Sequence, residues 1–228
     1  MSAAAVHPPH AQHHANPAAR PLILVTSFEP FGGSPTNPTI AIARALDAMP
    51  CALGSRAYIT LPVVTGTEAG SAWNAILPAL DALRPDAVVA LGESAKADRV
   101  NFERIAVNLR DARIADNSGV QLVDAPVVRG APDARFTTLP VREMLAACES
   151  AGVAAQLSMS AGTFLCNELM FRLLDHGRPR FSGFVHVPQL PEQAAARGGP
   201  SMDAETSARG VHAALEVLAA RLATGVLT

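Results

Sequence analysis

Histidines and cysteines are scarce enough in this chain to show where nucleophilic or proton-transfer chemistry could sit. Four of the seven histidines fall within the first twenty residues, leaving His176, His186 and His212. His212 lies in a helical stretch near the C-terminus. His176 precedes Gly177 at a helix end, where an imidazole interacts with the last carbonyls. His186 differs, because it stands near the end of the apolar run Gly183-Phe184-Val185-His186-Val187-Pro188, where a catalytic group would emerge from a sheet. A structural histidine is the alternative at that position.

The three cysteines sort in the same way. Cys51 occupies the Pro50–Gly54 loop, and Cys148 lies in a helix as a small packing residue. Cys166 follows a strand and the small-residue turn Ser158-Met159-Ser160-Ala161-Gly162, then opens the stretch Cys166-Asn167-Glu168-Leu169-Met170-Phe171-Arg172-Leu173. A thiol in the first turn of a helix feels the positive end of the peptide dipoles, which favours the attacking thiolate. The alternative is a buried, inert cysteine. A Cys–His couple also needs a group to hold the imidazole in one tautomer. Glu103, Asp111, Asp116 and Asp124 all qualify, and spacing does not choose among them.

The elements that must position these residues follow from periodicity. Strands are expected at Leu22–Ser27, Arg56–Val64, Ala87–Leu91, Arg104–Leu109, Ala154–Met159 and Gly183–Val187. Helices are expected at Asn37–Met49, Gly66–Leu83, Leu139–Ser150, Thr163–Asp175 and Asp203–Leu222. Asn37 can cap its helix and Pro38 suits the first position. Alternating strands and helices predict an α/β layered domain with a mainly parallel sheet, whose ligands bind beyond the carboxyl ends of the strands. Three long polar stretches, Glu93–Phe102, Arg110–Gly130 and Pro188–Met202, exceed ordinary connections and read as functional or interface loops.

Composition narrows the class. With 228 residues, 49% hydrophobic and 17% charged, one domain with a sizeable core is expected over residues 21–228. The Ala-, Pro- and His-rich residues 1–20 read as a disordered tail; His13 and His14 there have no Cys or acidic neighbour to complete a metal site. A net charge of −2 without a basic block argues against a nucleic-acid binder. No segment approaches the roughly 18 apolar residues of a membrane span. The opening lacks the charged and apolar regions of a secretory signal. Three cysteines are too few for a disulfide scaffold, so a cytoplasmic protein with free thiols is expected.

Four blocks of sequence carry a family resemblance. Val25-Thr26-Ser27-Phe28-Glu29-Pro30-Phe31-Gly32-Gly33, with Asn37-Pro38, resembles the opening of the pyroglutamyl peptidase I family. Glu103-Arg104-Ile105-Ala106-Val107-Asn108, with Asp111-Ala112-Arg113-Ile114 and Asp116-Asn117, is similar to its second signature. Ser160-Ala161-Gly162-Thr163-Phe164-Leu165-Cys166-Asn167 resembles the cysteine box, and Gly183–Pro188 with Pro191-Glu192-Gln193 the histidine box.

The resemblance implies a cysteine-type omega peptidase that releases pyroglutamate from peptide N-termini through a thioester. Cys166 is then the nucleophile, His186 the base and Glu103 the orienting acid. It further implies one α/β domain with a twisted sheet flanked by helices, a three-layer α/β/α arrangement of the phosphorylase/hydrolase type. A homotetramer and no metal or organic cofactor are also implied. Phe28 and Phe31 match residues that pack on the lactam ring, Phe164 and Leu165 match pocket walls, and Asn37 and Glu93 match further substrate-pocket positions. The chain departs from the family after Gly92. It reads Glu93-Ser94-Ala95-Lys96-Ala97-Asp98-Arg99 where relatives carry a glycine-rich stretch with an arginine. Ala97 takes the arginine position, Lys96 and Arg99 are the possible substitutes, and Glu93 stands where some relatives have glutamine. A carboxylate facing the pocket would need a partner or a raised pKa; the alternative is that Glu93 faces solvent. Glu93 therefore leaves open an amidase with altered substrate preference, and the changed loop leaves open an inactive binding homologue.

Overall fold

The computed structural model describes residues 20–225, so the expected N-terminal tail lies outside the described residues apart from Arg20. In chain order the elements are β1 (Leu22–Phe28), α1 (Pro38–Asp47), β2 (Ser55–Leu61), α2 (Ala72–Leu83), β3 (Ala87–Ser94), β4 (Val100–Glu103), β5 (Ile105–Val107), β6 (Ala134–Phe136), α3 (Val141–Ser150), β7 (Ala155–Ser158), α4 (Leu165–His176), β8 (Phe181–Pro188), α5 (Pro191–Arg197) and α6 (Ala204–Thr224).

Six strands form one sheet in the order β2-β1-β3-β8-β4-β7, and β5 and β6 form a separate antiparallel pair. Every neighbouring pair in the large sheet is parallel except β4 against β8. Pleating sends alternate residues to opposite faces, and two cores result. One holds Ile23, Val25, Val89, Leu91, Phe102, Val185 and Val187 with side chains of α1, α3 and α6. The other holds Leu24, Phe28, Val88, Ala90 and Phe184 with side chains of α2 and α4. Strands apolar on both faces are what a sheet covered by helices on both sides requires. Among the described residues no helix is long and apolar enough to cross a membrane.

Local chemistry explains the boundaries. Asn37 caps α1 by accepting from Thr39 N at 3.1 Å, with Pro38 inside the first turn. The helix expected from Gly66 starts only at Ala72. Gly66 and Gly70 have φ of 94° and 88°, left-handed values that break a helix, and Ser71 supplies the cap through Asn74 N at 3.2 Å.

The largest correction concerns Glu93–Phe102. It is not one long loop: β3 continues through Ser94, and Val100–Glu103 is a strand of the main sheet. Val100 and Phe102 point into one core while Asn101 and Glu103 point to the other face. So short an alternation looks polar in sequence. The strand expected over Arg104–Leu109 shrinks to β5, in the small sheet. The polar stretch after Pro188 contains α5, opened by Pro191 and too short to show a helical period.

Candidate active site

Strand register assembles the site. Gly92 of β3 pairs with His186 of β8, and Asn101 of β4 pairs with His186 from the other side. Glu103, two residues beyond Asn101, therefore shares a face with the imidazole at diagonal spacing, within side-chain reach. His186 Nδ1 and Glu103 Oε1 are 2.8 Å apart. Glu103 is 1% exposed and His186 is 7% exposed. The second Glu103 oxygen, Oε2, is buried with no hydrogen-bond partner among the described residues. Nothing there competes with the histidine.

The Cys166 sulfur sits beside Gly92, the ladder partner of His186: a Cβ on that glycine would lie 3.0 Å from Sγ. Burial pushes the ring toward its neutral form, but the neighbouring Cys166, then Glu103, favour the charged ring and outweigh it. The pKa is raised to about 10, so the ring keeps its proton through neutral pH.

Cys166 is the second residue of α4. Phe164 at the cap forms no side-chain cap bond, so no capping side chain takes up the first-turn amides. Two anchors fix this helix. Asn167 is fully buried, accepts from Val107 N at 2.8 Å and donates to the carbonyls of Val107 and Leu109. Glu168 Oε1 accepts from Gly66 N at 3.0 Å and Arg172 Nε at 2.8 Å, with Arg110 Nη1 at 3.7 Å.

The remaining sequence candidates divide into two groups. Phe28, Phe31, Phe164, Leu165 and Cys166 gather in one apolar cluster with Phe184. Phe28 and Phe184 stack with centroids 6.4 Å apart, and Phe184 tilts against the His186 ring at 4.8 Å. Asn37 and Glu93 are engaged elsewhere. The Asn37 amide oxygen serves the α1 cap and its nitrogen donates to Glu29 O at 3.0 Å. Glu93 points to the opposite face of β3 from Gly92, at 8% exposure, and pairs with Arg197 and Gln193. It does not face solvent. Of the possible substitutes for the arginine at the Ala97 position, Lys96 is exposed and Arg99 pairs with Asp98. Of the other acids left open by spacing, Asp116 is committed to a turn. Burial opposes its charge, but bonds from Ser118, Thr65 and Val120 prevail and hold its carboxyl down at about 2.

Three site features were missed in sequence. Phe184 stands two residues before His186, so strand period alone puts both on one face. Gly92 has a reason to be glycine, because a Cβ there would lie 2.5 Å from Phe184 Cζ and 3.0 Å from Cys166 Sγ. Arg197, the partner of Glu93, gave no signal.

The family model for pyroglutamyl peptidase matches residues 22–221. A pyrrolidone-carboxylate peptidase of Chromobacterium violaceum is 44% identical over 177 residues, covering 78% of this chain and 82% of the relative. One from Pyrococcus furiosus is 40% identical over 204 residues, covering 86% and 96%. Among solved structures, Bacillus amyloliquefaciens pyroglutamyl peptidase I superposes with a TM-score of 0.82 at 30% identity, covering 89% of this chain and 98% of that one.

Proposed function

This chain belongs to the pyroglutamyl peptidase family, and from that premise we propose that Cys166, His186 and Glu103 carry its reaction, the release of pyroglutamate from peptide N-termini. The observation that carries the assignment is the buried 2.8 Å contact between His186 and Glu103, with the Cys166 sulfur beside Gly92, the ladder partner of His186.

A raised His186 pKa keeps the ring an imidazolium, with Glu103 holding its orientation, and thiolate is the attacking form of the cysteine. The Cys166 sulfur attacks the pyroglutamyl carbonyl carbon, and its electron pair becomes the new C–S bond. The carbonyl oxygen takes up negative charge facing the first-turn amides of α4, among them the Cys166 N–H. Losing one such donor typically costs about 100–1000-fold in rate. The tetrahedral species collapses, the C–N bond breaks, and His186 protonates the leaving amine. Water, deprotonated by His186, then cleaves the thioester to free pyroglutamate and restore the thiolate–imidazolium pair.

A pyroglutamyl residue is a lactam without an ammonium group, which suits a mostly apolar pocket such as the cluster of Phe28, Phe31, Phe164 and Leu165. The altered-substrate alternative rested on a carboxylate turned toward the pocket. The pairing of Glu93 with Arg197 removes its motive. We read the working form as a homotetramer in the cytoplasm, a single catalytic domain from Pro21 onward. The free state of all three cysteines supports a reducing compartment, and light scattering in dilute solution tests the assembly.

The activity test is release of a fluorophore from a pyroglutamyl amide by the reduced protein. Thiol alkylation should block it, and Cys166→Ala should abolish it while the circular dichroism spectrum of the folded protein is kept. A folded, reduced wild-type protein that releases nothing contradicts the assignment.

A further inference from the structure

Glu93 lies one ladder step from the chemistry yet on the other face of the sheet, paired with Val187 where Gly92 pairs with His186. Its side chain is 1% exposed. One oxygen accepts from Arg197 Nη2 and the other from Gln193 Nε2 at 3.1 Å. Gln193 reaches three further groups: its Nε2 lies 3.0 Å from Ser34 Oγ and 3.3 Å from Thr36 O, and its Oε1 accepts from Leu190 N at 2.9 Å. Arg197 also donates from Nε to Gln189 Oε1 at 2.6 Å. Three segments meet at this carboxylate: the end of β3, the turn following Phe31, and the segment that leaves β8 just after His186.

We propose that Glu93 and Arg197 form a positioning pair that locks the Phe31 turn and α5 against the end of β3, and so sets the shape of the lactam pocket. The proposal rests on the pyroglutamyl peptidase reading. The two halves of the pair are not equivalent. Arg197 is 37% exposed at its side chain and can turn to water when Glu93 is neutralised. Glu93 has no such escape, and a buried carboxylate that loses its cation disrupts its surroundings. Chemistry is insulated from the damage, because Glu103 holds His186 from the opposite face of the sheet. Breaking the pair therefore weakens substrate binding more than turnover.

The test is a double-mutant cycle on pyroglutamyl amide hydrolysis. Arg197→Met strands the carboxylate and should raise KM about tenfold while kcat stays within about twofold. Glu93→Gln keeps a partner for Gln193 and should raise KM only about two- to threefold. The double variant should fall back to the Glu93→Gln value, because no stranded charge remains. Hydrogen exchange gives a readout that needs no activity. Amides of the Phe31–Thr36 turn should exchange faster in Arg197→Met and recover in the double variant. A wild-type KM and unchanged turn exchange in Arg197→Met would overturn the proposal. So would Glu93→Gln matching or exceeding Arg197→Met with additive effects, which would make Glu93 a direct substrate contact. Wild-type inactivity on the amide would instead remove the functional reading, leaving the exchange experiment to judge the lock itself.

Discussion

Two carboxylates are buried at the same end of the sheet, Glu103 on the face of α4 and Glu93 on the other, and they differ in the cation they meet. Glu103 faces His186, whose proton can leave; Glu93 faces Arg197, whose proton cannot. A carboxylate held to a titratable partner can orient and stabilise a group that gains and loses charge during a reaction. A carboxylate held to a guanidinium contributes a fixed point of attachment. Glu168 with Arg172, both on the helix that carries Cys166, repeats the second pattern. Burial alone does not mark a catalytic acid. The partner does.

The sharpest way to break this comparison is to neutralise Glu103. Glu103→Gln should lower kcat by about 10³–10⁴-fold, the scale seen when an orienting carboxylate loses its charge. A decrease no larger than that of Glu93→Gln would erase the distinction. Next in size is the arginine-held carboxylate on α4 itself. Arg172→Met leaves Glu168 without its main partner and should cost about 3–5 kcal/mol of stability, read from denaturant unfolding. Adding Glu168→Gln should restore much of that loss. A smaller effect is expected from Gly92→Ala. Its methyl would press on Phe184 and the sulfur, and a displacement of about 1 Å at a reacting group costs on the order of 10²-fold in kcat.

A further effect is a pH dependence of stability, read over a wide pH range. The folded pKa of His186 is raised from 6.5 to about 10. Its contribution is therefore fully present below 6.5 and is lost as pH rises through about 10. Unfolding midpoints followed from neutral to alkaline pH should fall more steeply in the wild type than in Glu103→Gln. On the acid side Asp116 responds with the opposite sign. Its lowered pKa makes its contribution present above 3.8 and lost as pH falls through about 2, and Asp116→Asn should flatten that decline.

The sequence made some of this legible because the information was local. Asn37-Pro38 marked a helix start through cap chemistry that needs only neighbouring residues. The unbroken apolar runs of β1, β3 and β8 announced strands covered on both faces. β4 stayed hidden because four residues alternating Val-Asn-Phe-Glu carry little signal, and only the pleat of a sheet puts Glu103 beside His186. Local spacing could not separate Glu103 from Asp111, Asp116 and Asp124, and the resemblance was needed to single it out. Phe184 could have been found from its spacing to His186. The Glu93–Arg197 pair spans 104 residues and ends in a helix of a turn or two, so no local pattern revealed it.

The claim beneath all of this is that His186 is an imidazolium in the resting protein because its neighbours Cys166 and Glu103 favour the charged ring over the neutral one. Nitrogen NMR of protein labelled in its histidine rings tests it without substrate. The account predicts a His186 ring that stays protonated through neutral pH, gives up its proton only near pH 10, and becomes easier to deprotonate in Cys166→Ala. A His186 ring found neutral at neutral pH in the wild type, and unchanged in that variant, would contradict it.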